Sequence, residues 1–414
     1  MKTLGKYSFG LGDRFANQGE AQLQALILAK KLGVEFIPVW NKSNREHTTV
    51  GSQPSDTRIE ADAAVKALGW KGDYYVDADH INMSNVDWFI DYSDFFTIDV
   101  ADYIGKEASA DEIAAFVVAN EKYIGKLLIP GIDKPFEITN ESLTAIAKKF
   151  LFATKEAAKI YNYIVSKKGL GTFIPEVSMD EVSEAQSPVE MFFILSALHH
   201  FNLPAQTIAP KFTGRFNKGV DYVGDVELFR VEFEQDLLVI DFAIKEFGLP
   251  SNLKLSIHSG SDKFSIYPIM GELIKKYDKG IHVKTAGTTW LEEVIGLALA
   301  GDEALQLAKN IYYKALSKID ELSAPYATVI DIRRDNLPTK EEVAEWSSAK
   351  FANSLRHIPG HIDYNPDFRQ LIHVGYKVAA LFGAEYIDAL EKHSLIVGEQ
   401  VTTNIFERHI VRLA

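Results

Sequence analysis

Residues 73–83 read DYYVDADHINM, and three apolar residues run directly into a segment rich in acids that also contains a histidine. A short aromatic and β-branched run predicts a β-strand. Asp77, Asp79 and His80 lie where that strand should end. Because unpaired polar groups are costly to bury, a purely structural strand would stop without them. The stretch therefore indicates either a capped turn or a site for metal binding or acid–base chemistry.

Seven further runs share this design, in which an apolar or aromatic stretch ends in polar residues. They are KYSFGLGDR (6–14), VEFIPVWNKSN (34–44), DFFTIDVAD (94–102), GTFIPEVSMDE (171–181), AQTIAPKFTGR (205–215), LKLSIHSGSDK (253–263) and GIHVKTAGT (280–288). Amphipathic helical patterns lie between most of these runs, as in GEAQLQALILAKKLG at 19–33. Eight strands that alternate with helices predict an α/β fold, a (β/α)8 TIM-type barrel. Active sites of such barrels lie at the C-terminal ends of the strands.

Two segments lie outside the minimal barrel. Residues 103–170 have helical patterns, and we expect a helical insertion after the fourth strand. Residues 301–414 are also mostly helical. We therefore expect a barrel catalytic domain at 1–300 with a helical C-terminal extension packed on it, which a chain of 414 residues can accommodate.

The overall charge and the absence of cysteine limit the function classes. A formal net charge of −13 argues against nucleic acid or an anionic membrane as the main partner. With no cysteine, any metal must be held by His, Asp, Glu or water. The N-terminal residues lack the apolar stretch of a signal peptide, and no run is long enough to span a membrane, so we expect a cytoplasmic protein. The sequence is compatible with a homo-oligomer but does not require one.

Three histidines come from the third, seventh and eighth predicted strands: His80, His258 and His282. Neutral imidazole is a common ligand of Zn, Mn, Co and Ni. Three such ligands would leave coordination positions open for water or substrate. A single histidine at a strand end is more often a hydrogen-bonded structural residue. Their coincidence at matching strand ends favours a divalent metal site.

Carboxylates accompany these histidines. Asp79 and Glu176 could act as general base and general acid, or could cap helices and orient a histidine. For Asp77, Asp180 and Glu181 we favour turn and cap roles, with a fourth metal ligand as the alternative.

A basic loop, APKFTGRFNKGVDYVGD at 209–225, carries Lys211, Arg215 and Lys218. In an acidic chain this loop suits a small anionic substrate, because Arg and Lys both recognise carboxylates. The alternative is a solvated loop with incidental charge. HSGSDKFS at 258–265 predicts either a capped turn or backbone amides that face a ligand. The chain has neither a Rossmann fingerprint nor a P-loop pattern.

Several of these motifs together resemble the tagaturonate epimerase family. They are HSGSDKFSIYP (258–268), HVKTAGT (282–288), GLGDR (10–14), DADH (77–80), EVSMDE (176–181), KFTGRFNKGVDYVGD (211–225) and RQLIHVGY (369–376). The resemblance covers nearly the whole chain. It implies a metal-dependent enzyme that interconverts tagaturonate and fructuronate in hexuronate catabolism.

The resemblance also implies roles for matched positions. Asp79 would be the proton acceptor and Glu176 the proton donor, while His80 and His258 would bind the metal, with His282 expected as the third ligand. The candidate substrate-binding residues are Lys218, Asp221, Arg215, Asp13, Arg14, Ser259, Asp262 and Lys263.

One departure concerns the substrate. Asn41, Lys42 and Ser43 replace a glutamine-rich motif of the family and should face the pocket mouth. An alternative is therefore a related metal-dependent isomerase, epimerase or aldolase for another keto sugar, such as tagatose or fructose. A sugar-binding protein without chemistry is the non-enzymatic alternative, and the complete set of candidate catalytic residues argues against it.

Overall fold

The structure is a computed structural model that describes residues 2–285 and 287–413. These residues form ten strands: β1 (Tyr7–Gly12), β2 (Ile37–Ser43), β3 (Tyr75–Ile81), β4 (Phe95–Asp99), β5 (Gly125–Leu127), β6 (Phe136–Ile138), β7 (Ile174–Ser178), β8 (Thr207–Ala209), β9 (Lys254–Ile257) and β10 (Ile281–Thr285). Eight of them close into a parallel barrel in the order β1-β10-β9-β8-β7-β4-β3-β2. The predicted (β/α)8 fold is confirmed, and every predicted strand is a strand of the barrel.

The barrel strands are buried on both faces, as in β7, where all five residues are buried. Because alternate residues of a strand share a face, positions two apart project together into the barrel. This places Asp77 beside Asp79 on β3, and His282 beside Lys284 on β10. Neighbouring strands bring Glu176 level with Thr97.

Helices surround the barrel and form the segments beyond it. From the N-terminus to the end of the barrel they are α1 (Gly19–Lys31), α2 (Asn44–Val50), α3 (Pro54–Leu68), α4 (Ala110–Asn120), α5 (Asn140–Lys168), α6 (Pro188–His200), α7 (Val226–Phe247), α8 (Tyr267–Lys276) and α9 (Thr288–Ala300). Beyond it lie α10 (Asp302–Ser317), α11 (Ile319–Ser323), α12 (Lys340–Ala344), α13 (Ser348–Leu355), α14 (Pro366–Val374), α15 (Tyr376–Ala380), α16 (Ala384–Lys392), α17 (Ser394–Thr403) and α18 (Val411–Leu413). Within the described residues, no helix has both the length and the apolar character that a membrane span requires.

The insertion between β4 and β7 contains a feature that the sequence patterns did not predict. Besides α4 and α5, it holds the antiparallel pair β5–β6, in which Lys126 lies opposite Glu137. Each of these strands has only three residues. Three residues are too few to show a strand periodicity, which explains the purely helical prediction.

The C-terminal helices form two groups. The helices α9, α10, α13 and α14 pack around a second apolar core that includes Trp290, Tyr312 and Phe368. The helix α17 packs on α9 at the edge of this core and, with a π-helical turn at Asn404–Ile410 and α18, returns to the barrel, where these elements contact α1 and α8. Buried Val401 and Leu413 belong to the apolar core of the barrel itself. Residues 394–413 therefore cover the seam between β1 and β10.

Candidate active site

A pocket opens at the C-terminal ends of the barrel strands, where the fold predicts the active site. Its lining comes from strand ends, from the loops that follow them and from one residue beyond α11. The lining residues are Arg14, Asn41, Ser43, Arg45, Glu46, Asp79, His80, Asp180, Glu181, Lys218, His258, Ser259, Lys284 and Tyr326.

Three of these residues form a group that could hold a metal ion. The ligand atoms of His80, His258 and Asp180 lie within 4.8 Å of one another. His80 has a left-handed backbone conformation, with φ of 52°. The pairing of β3 with β4 is irregular between Ala78 and Ile81, and such irregularities redirect side chains near active sites. This local distortion places the imidazole of His80 at the mouth.

Carboxylates fix the orientation of both imidazoles. Nδ1 of His80 lies 2.9 Å from Oδ2 of Asp99. Nδ1 of His258 lies 3.1 Å from Oδ1 of Asp180, and its Nε2 lies 2.8 Å from Oε1 of Glu176. A metal-binding imidazole coordinates through one nitrogen while a carboxylate holds the other. With Nδ1 of His80 held by Asp99 and Nε2 of His258 held by Glu176, the nitrogens left for a metal would be Nε2 of His80 and Nδ1 of His258, which lies beside Asp180.

The charges around these imidazoles favour a cation. Burial lowers the pKa of His80, but the charge of Asp79 and the hydrogen bond to Asp99 outweigh it and raise the pKa to about 10. Burial also lowers the pKa of His258, but the charges of Asp180 and Glu176 outweigh burial and raise this pKa to about 9. The surplus of negative charge thus draws protons onto both rings. A divalent cation held by neutral imidazoles would balance the same carboxylates, so the donor set fits a metal ion.

Lys284 stands at the centre of the buried carboxylates, although it was not among the predicted site residues. Its Nζ lies 2.6 Å from Oδ1 of Asp79, 2.7 Å from Oδ2 of Asp77 and 3.1 Å from Oε1 of Glu176. Burial lowers the pKa of Lys284, and these carboxylates raise it well above its usual value. The alternation of side chains along β10 could have predicted this position. Lys284 lies two residues after His282, so it shares a face with His282 and lies nearer the mouth.

Asp79 is an ionised group at the pocket surface. Burial would raise the pKa of Asp79, but Lys284 and then His80 hold it well below the ordinary value. Asp79 therefore presents an oxygen that can accept a proton. The proton-acceptor role that the resemblance implies for Asp79 stays a prediction.

Glu176 lies deeper. Its Oε1 accepts a hydrogen bond from Thr97 at 3.0 Å, and its Oε2 accepts one from Thr207 at 2.7 Å. Burial would raise the pKa of Glu176, but Lys284 and His258 hold it well below its usual range. Among the described residues that line the pocket, Glu176 is absent. It contacts the pocket residues Lys284 and His258, and as an ionised carboxylate it has no proton of its own, so the predicted donor role would need a proton carried by one of those two residues.

His282 is not brought together with the other two histidines. Its Nδ1 lies 2.9 Å from Oγ of Ser8, and its ring lies 5.3 Å from that of Phe95. Burial lowers its pKa to about 3. The reason is depth: His282 is the second residue of β10 and pairs level with Ser256, two positions before His258. In the candidate metal group, Asp180 stands where the sequence predicted His282.

Three of the predicted substrate-binding residues line the pocket: Arg14, Lys218 and Ser259. The Nζ of Lys218 donates a hydrogen bond to Oγ of Ser259 at 2.7 Å. The expectation for the β2 end is met in part, because Asn41 and Ser43 line the pocket.

Two other predicted contacts point elsewhere. The carboxylate of Asp13 accepts hydrogen bonds from the backbone amides of residues 15–18, so it holds the β1–α1 loop together. Arg215 is exposed, and its guanidinium lies 3.5 Å from the carboxylate of Asp331.

The last three predicted contacts connect loops behind the pocket. Asp221 accepts a hydrogen bond from the amide of Ser265 at 3.1 Å. Asp262 is buried and pairs with Arg369 at 3.0 Å. Lys263 donates to backbone carbonyls, among them that of residue 220 at 2.8 Å. The turn after His258 carries Asp262 and Lys263 away from the pocket, and Asp221 of the basic loop bonds to that same segment, so the structure does not place these three as substrate contacts.

Arg45 and Tyr326 are pocket residues that the sequence analysis missed. Arg45 follows the polar end of β2, which was a usable signal. Tyr326 lies in a short 3₁₀ turn, Ala324–Tyr326, far along the chain. No local pattern connects it with the barrel mouth.

The fold and this site define a (β/α)8 enzyme with acid–base groups and paired histidines at the barrel mouth. A family model described as UxaE, tagaturonate epimerase, matches residues 2–410. The chain belongs to the tagaturonate epimerase family, whose members are isomerases.

Individual relatives agree with this placement. A tagaturonate/fructuronate epimerase from Thermotoga maritima is 28% identical in an alignment 422 positions long, which covers 97% of this chain and 80% of the relative. The glycerol-complexed crystal structure of the fructuronate-tagaturonate epimerase UxaE from Cohnella laeviribosi superposes with a TM-score of 0.82 at 24% identity, over 100% of this chain and 82% of that one. The native structure of that enzyme gives a TM-score of 0.80 at 24% identity, over the same shares of both chains. These structures share the fold of this chain.

Proposed function

We propose that this protein interconverts tagaturonate and fructuronate, with a divalent metal ion bound by His80, His258 and Asp180. The family and the names of its relatives support the substrate pair. The observation that carries the metal is the donor set, in which two imidazoles and a carboxylate converge within 4.8 Å. A cytoplasmic role in hexuronate catabolism is part of the same proposal.

The reaction inverts a carbon that is β to the ketone, so the carbonyl does not directly assist removal of its proton. A bound divalent metal would supply a Lewis acid that polarises the ketone oxygen. Zn, Mn, Co and Ni all suit imidazole and carboxylate donors.

The protein's own residues then account for the proton transfers. Asp79 is ionised, lies at the pocket surface and accepts a proton from the substrate. Lys284 lies 2.6 Å from Asp79 and 3.1 Å from Glu176, so it connects the two carboxylates. In a retro-aldol route Asp79 takes the proton of the hydroxyl on the inverting carbon. In a proton-transfer route it takes the proton of that carbon, and a group on the opposite face returns one.

The experiment is incubation of the purified protein with tagaturonate and with fructuronate, with and without a chelator, followed by chromatography. We expect each uronate to yield the other, loss of activity with the chelator, and about one divalent ion per chain by metal analysis. Asp79→Asn should lower kcat by about 100- to 10,000-fold, because it removes the general base. Absence of any uronate interconversion in the metal-loaded protein would contradict the proposal.

Deuterium on the inverting carbon separates the two routes. Loss of the label to solvent would exclude a pure retro-aldol route, because cleavage of the C–C bond leaves that hydrogen in place. Retention of the label in the product is the outcome expected for retro-aldol cleavage.

A further inference from the structure

The pocket has a second, cationic part besides the histidine and carboxylate group. Arg14, Arg45 and Lys218 all line it, together with Tyr326. Arg14 lies in the loop after β1, Arg45 in the first turn of α2 and Lys218 in the basic loop after β8. In an acidic protein, three cations besides Lys284 thus line this one pocket.

Only part of this positive charge is balanced. Arg14 forms an ion pair with Glu46, and the guanidinium of Arg45 lies 3.6 Å from a carboxylate oxygen of Glu181. Lys218 donates to the neutral hydroxyl of Ser259, and no carboxylate of the described residues lies within ion-pair distance of its Nζ. Three cations therefore face two carboxylates at the pocket wall.

Two tyrosines from the segments beyond the barrel hold the two arginines in place. The guanidinium carbon of Arg45 lies 5.5 Å from the ring centroid of Tyr326, and that of Arg14 lies 4.3 Å from the ring of Tyr376. The two tyrosine hydroxyls are 3.0 Å apart. Cation–π contacts restrict the arginines without using their N–H donors.

The segment that carries Tyr326 is attached to the basic loop. The amide of Lys218 donates to the carbonyl of Val329 at 2.8 Å, and the guanidinium of Arg215 donates to the carbonyl of Ile330 at 3.2 Å. The loop and the segment therefore form one wall of the pocket. Arg215 contributes to this wall as a structural residue.

We propose that Arg45, Lys218 and Tyr326 form the subsite that binds the carboxylate of the substrate, and that this subsite selects a keto-hexuronate over a neutral ketose. The inference rests on the proposed function and names the residues that give it specificity. A guanidinium and an ammonium bind a carboxylate through charge-assisted hydrogen bonds, and the Tyr326 hydroxyl adds a neutral donor. The bound carboxylate would balance the surplus cation.

This assignment also orients the substrate. Asp79 pairs with Lys284, whereas Arg45 lies against Tyr326 and Lys218 donates to Ser259, so the base and the proposed subsite have different partners. A keto-hexuronate bound with its carboxylate at the cationic wall directs its other end toward the ionised Asp79.

The test compares Arg45→Gln with Arg230→Gln as a matched control. Arg230 pairs with Glu272 at 2.7 Å on the outer surface, so the control removes an arginine without touching the pocket. We expect Arg45→Gln to raise the KM for fructuronate about 10- to 100-fold with a much smaller change in kcat. Arg45→Lys should recover part of the affinity, and Tyr326→Phe should raise KM by a smaller factor.

A binding measurement separates this inference from the proposed function. Gluconate and sorbitol differ at one end, carboxylate against hydroxymethyl, so we expect gluconate to raise the Tm of the wild type more than sorbitol does. This difference should vanish in Arg45→Gln and in Lys218→Met and persist in Arg230→Gln. If it does so while the wild type leaves uronates unchanged, the proposed function fails and the subsite stands. If the difference is absent from the wild type, or is unchanged in both pocket variants, the subsite assignment is overturned.

Discussion

His258 and His282 come from neighbouring strands of one barrel, yet their surroundings differ sharply. His258 directly follows β9, at the mouth, whereas His282 lies in β10 level with Ser256, two positions deeper. The pKa of His258 is raised to about 9, while that of His282 is lowered to about 3. A difference of two positions along neighbouring strands thus separates His258, whose surroundings favour a positive charge, from His282, whose surroundings disfavour one.

The neighbours of each ring explain the difference. His258 contacts the carboxylates of Asp180 and Glu176, which compensate for its burial. His282 contacts the hydroxyl of Ser8 and the ring of Phe95, which do not. The barrel interior is therefore layered, with a charged layer at the mouth above a more neutral one. A residue's layer, more than its chemical type, decides what it can do.

The largest expected effect tests whether the layers differ in metal binding. His258→Ala should remove the bound metal and lower kcat/KM by about 1,000-fold or more, because several kcal/mol of charge stabilisation would be lost. His282→Asn should keep the metal, since its ring lies below the donor group. Metal analysis and steady-state kinetics on both variants give the answer. Loss of metal from His282→Asn alone would reverse the comparison.

A second change removes the cation of the mouth layer. Lys284→Met leaves Asp77, Asp79 and Glu176 without their shared ammonium group. We expect a loss of about 3–5 kcal/mol in the free energy of unfolding, because buried carboxylates would be unpaired. We also expect kcat to fall by about 100-fold or more, because the ammonium group that fixes Asp79 and connects it with Glu176 is lost.

Lys254→Met is the matched control for that change. Lys254 lies at the opposite end of the barrel, where its Nζ donates to backbone carbonyls, among them that of Leu4 at 3.4 Å. Urea unfolding and kinetics should show some loss of stability but an unchanged kcat for this variant. A comparable loss of kcat in both variants would indicate a general effect on the barrel.

The smallest expected effect is a difference in pH dependence in chelator-treated protein. The folded pKa of His258, about 9, lies above the unfolded value of about 6.5, so its contribution is present below pH 6.5 and lost as pH rises toward 9. The folded pKa of His282, about 3, lies below the unfolded value, so stability is lost as pH falls from 6.5 toward 3. Each slope is at most about 1.4 kcal/mol per pH unit.

Urea unfolding over a pH series measures both slopes. His258→Asn should flatten the alkaline limb relative to the wild type, and His282→Asn should flatten the acid limb. The common contributions of other groups cancel in the difference between variants. If both variants flattened the same limb, the two layers would not differ in the way described.

The sequence was sufficient for the barrel because the signal repeats in each strand. Every barrel strand is a short apolar run followed by polar residues, as in residues 73–83, and helical patterns separate the runs. The pair β5–β6 escaped because a strand of three residues has no measurable period. A periodic pattern can be recognised only in a segment of sufficient length, so very short strands become visible only in the tertiary structure.

The site was predictable where a functional residue ends a strand. His80 and His258 do so, and the structure brings them together. His282 misled the prediction because its run continues to Thr285, and the sequence does not mark which residue of a run reaches the mouth. Tyr326 could not be predicted, since it reaches the pocket through packing of distant helices. Such contacts follow from the tertiary fold alone.

The position of residues 394–413 has a consequence for synthesis of the chain. β1 leaves the ribosome long before the helices that cover its seam with β10. Gly271 of α8 lets the backbone approach closely there, because a Cβ at that position would meet the carbonyl of Leu413. A premature stop or a cut before residue 394 would therefore not release a smaller working barrel. It would leave an apolar seam open to water, which chaperones and proteases recognise as a mark of unfinished folding.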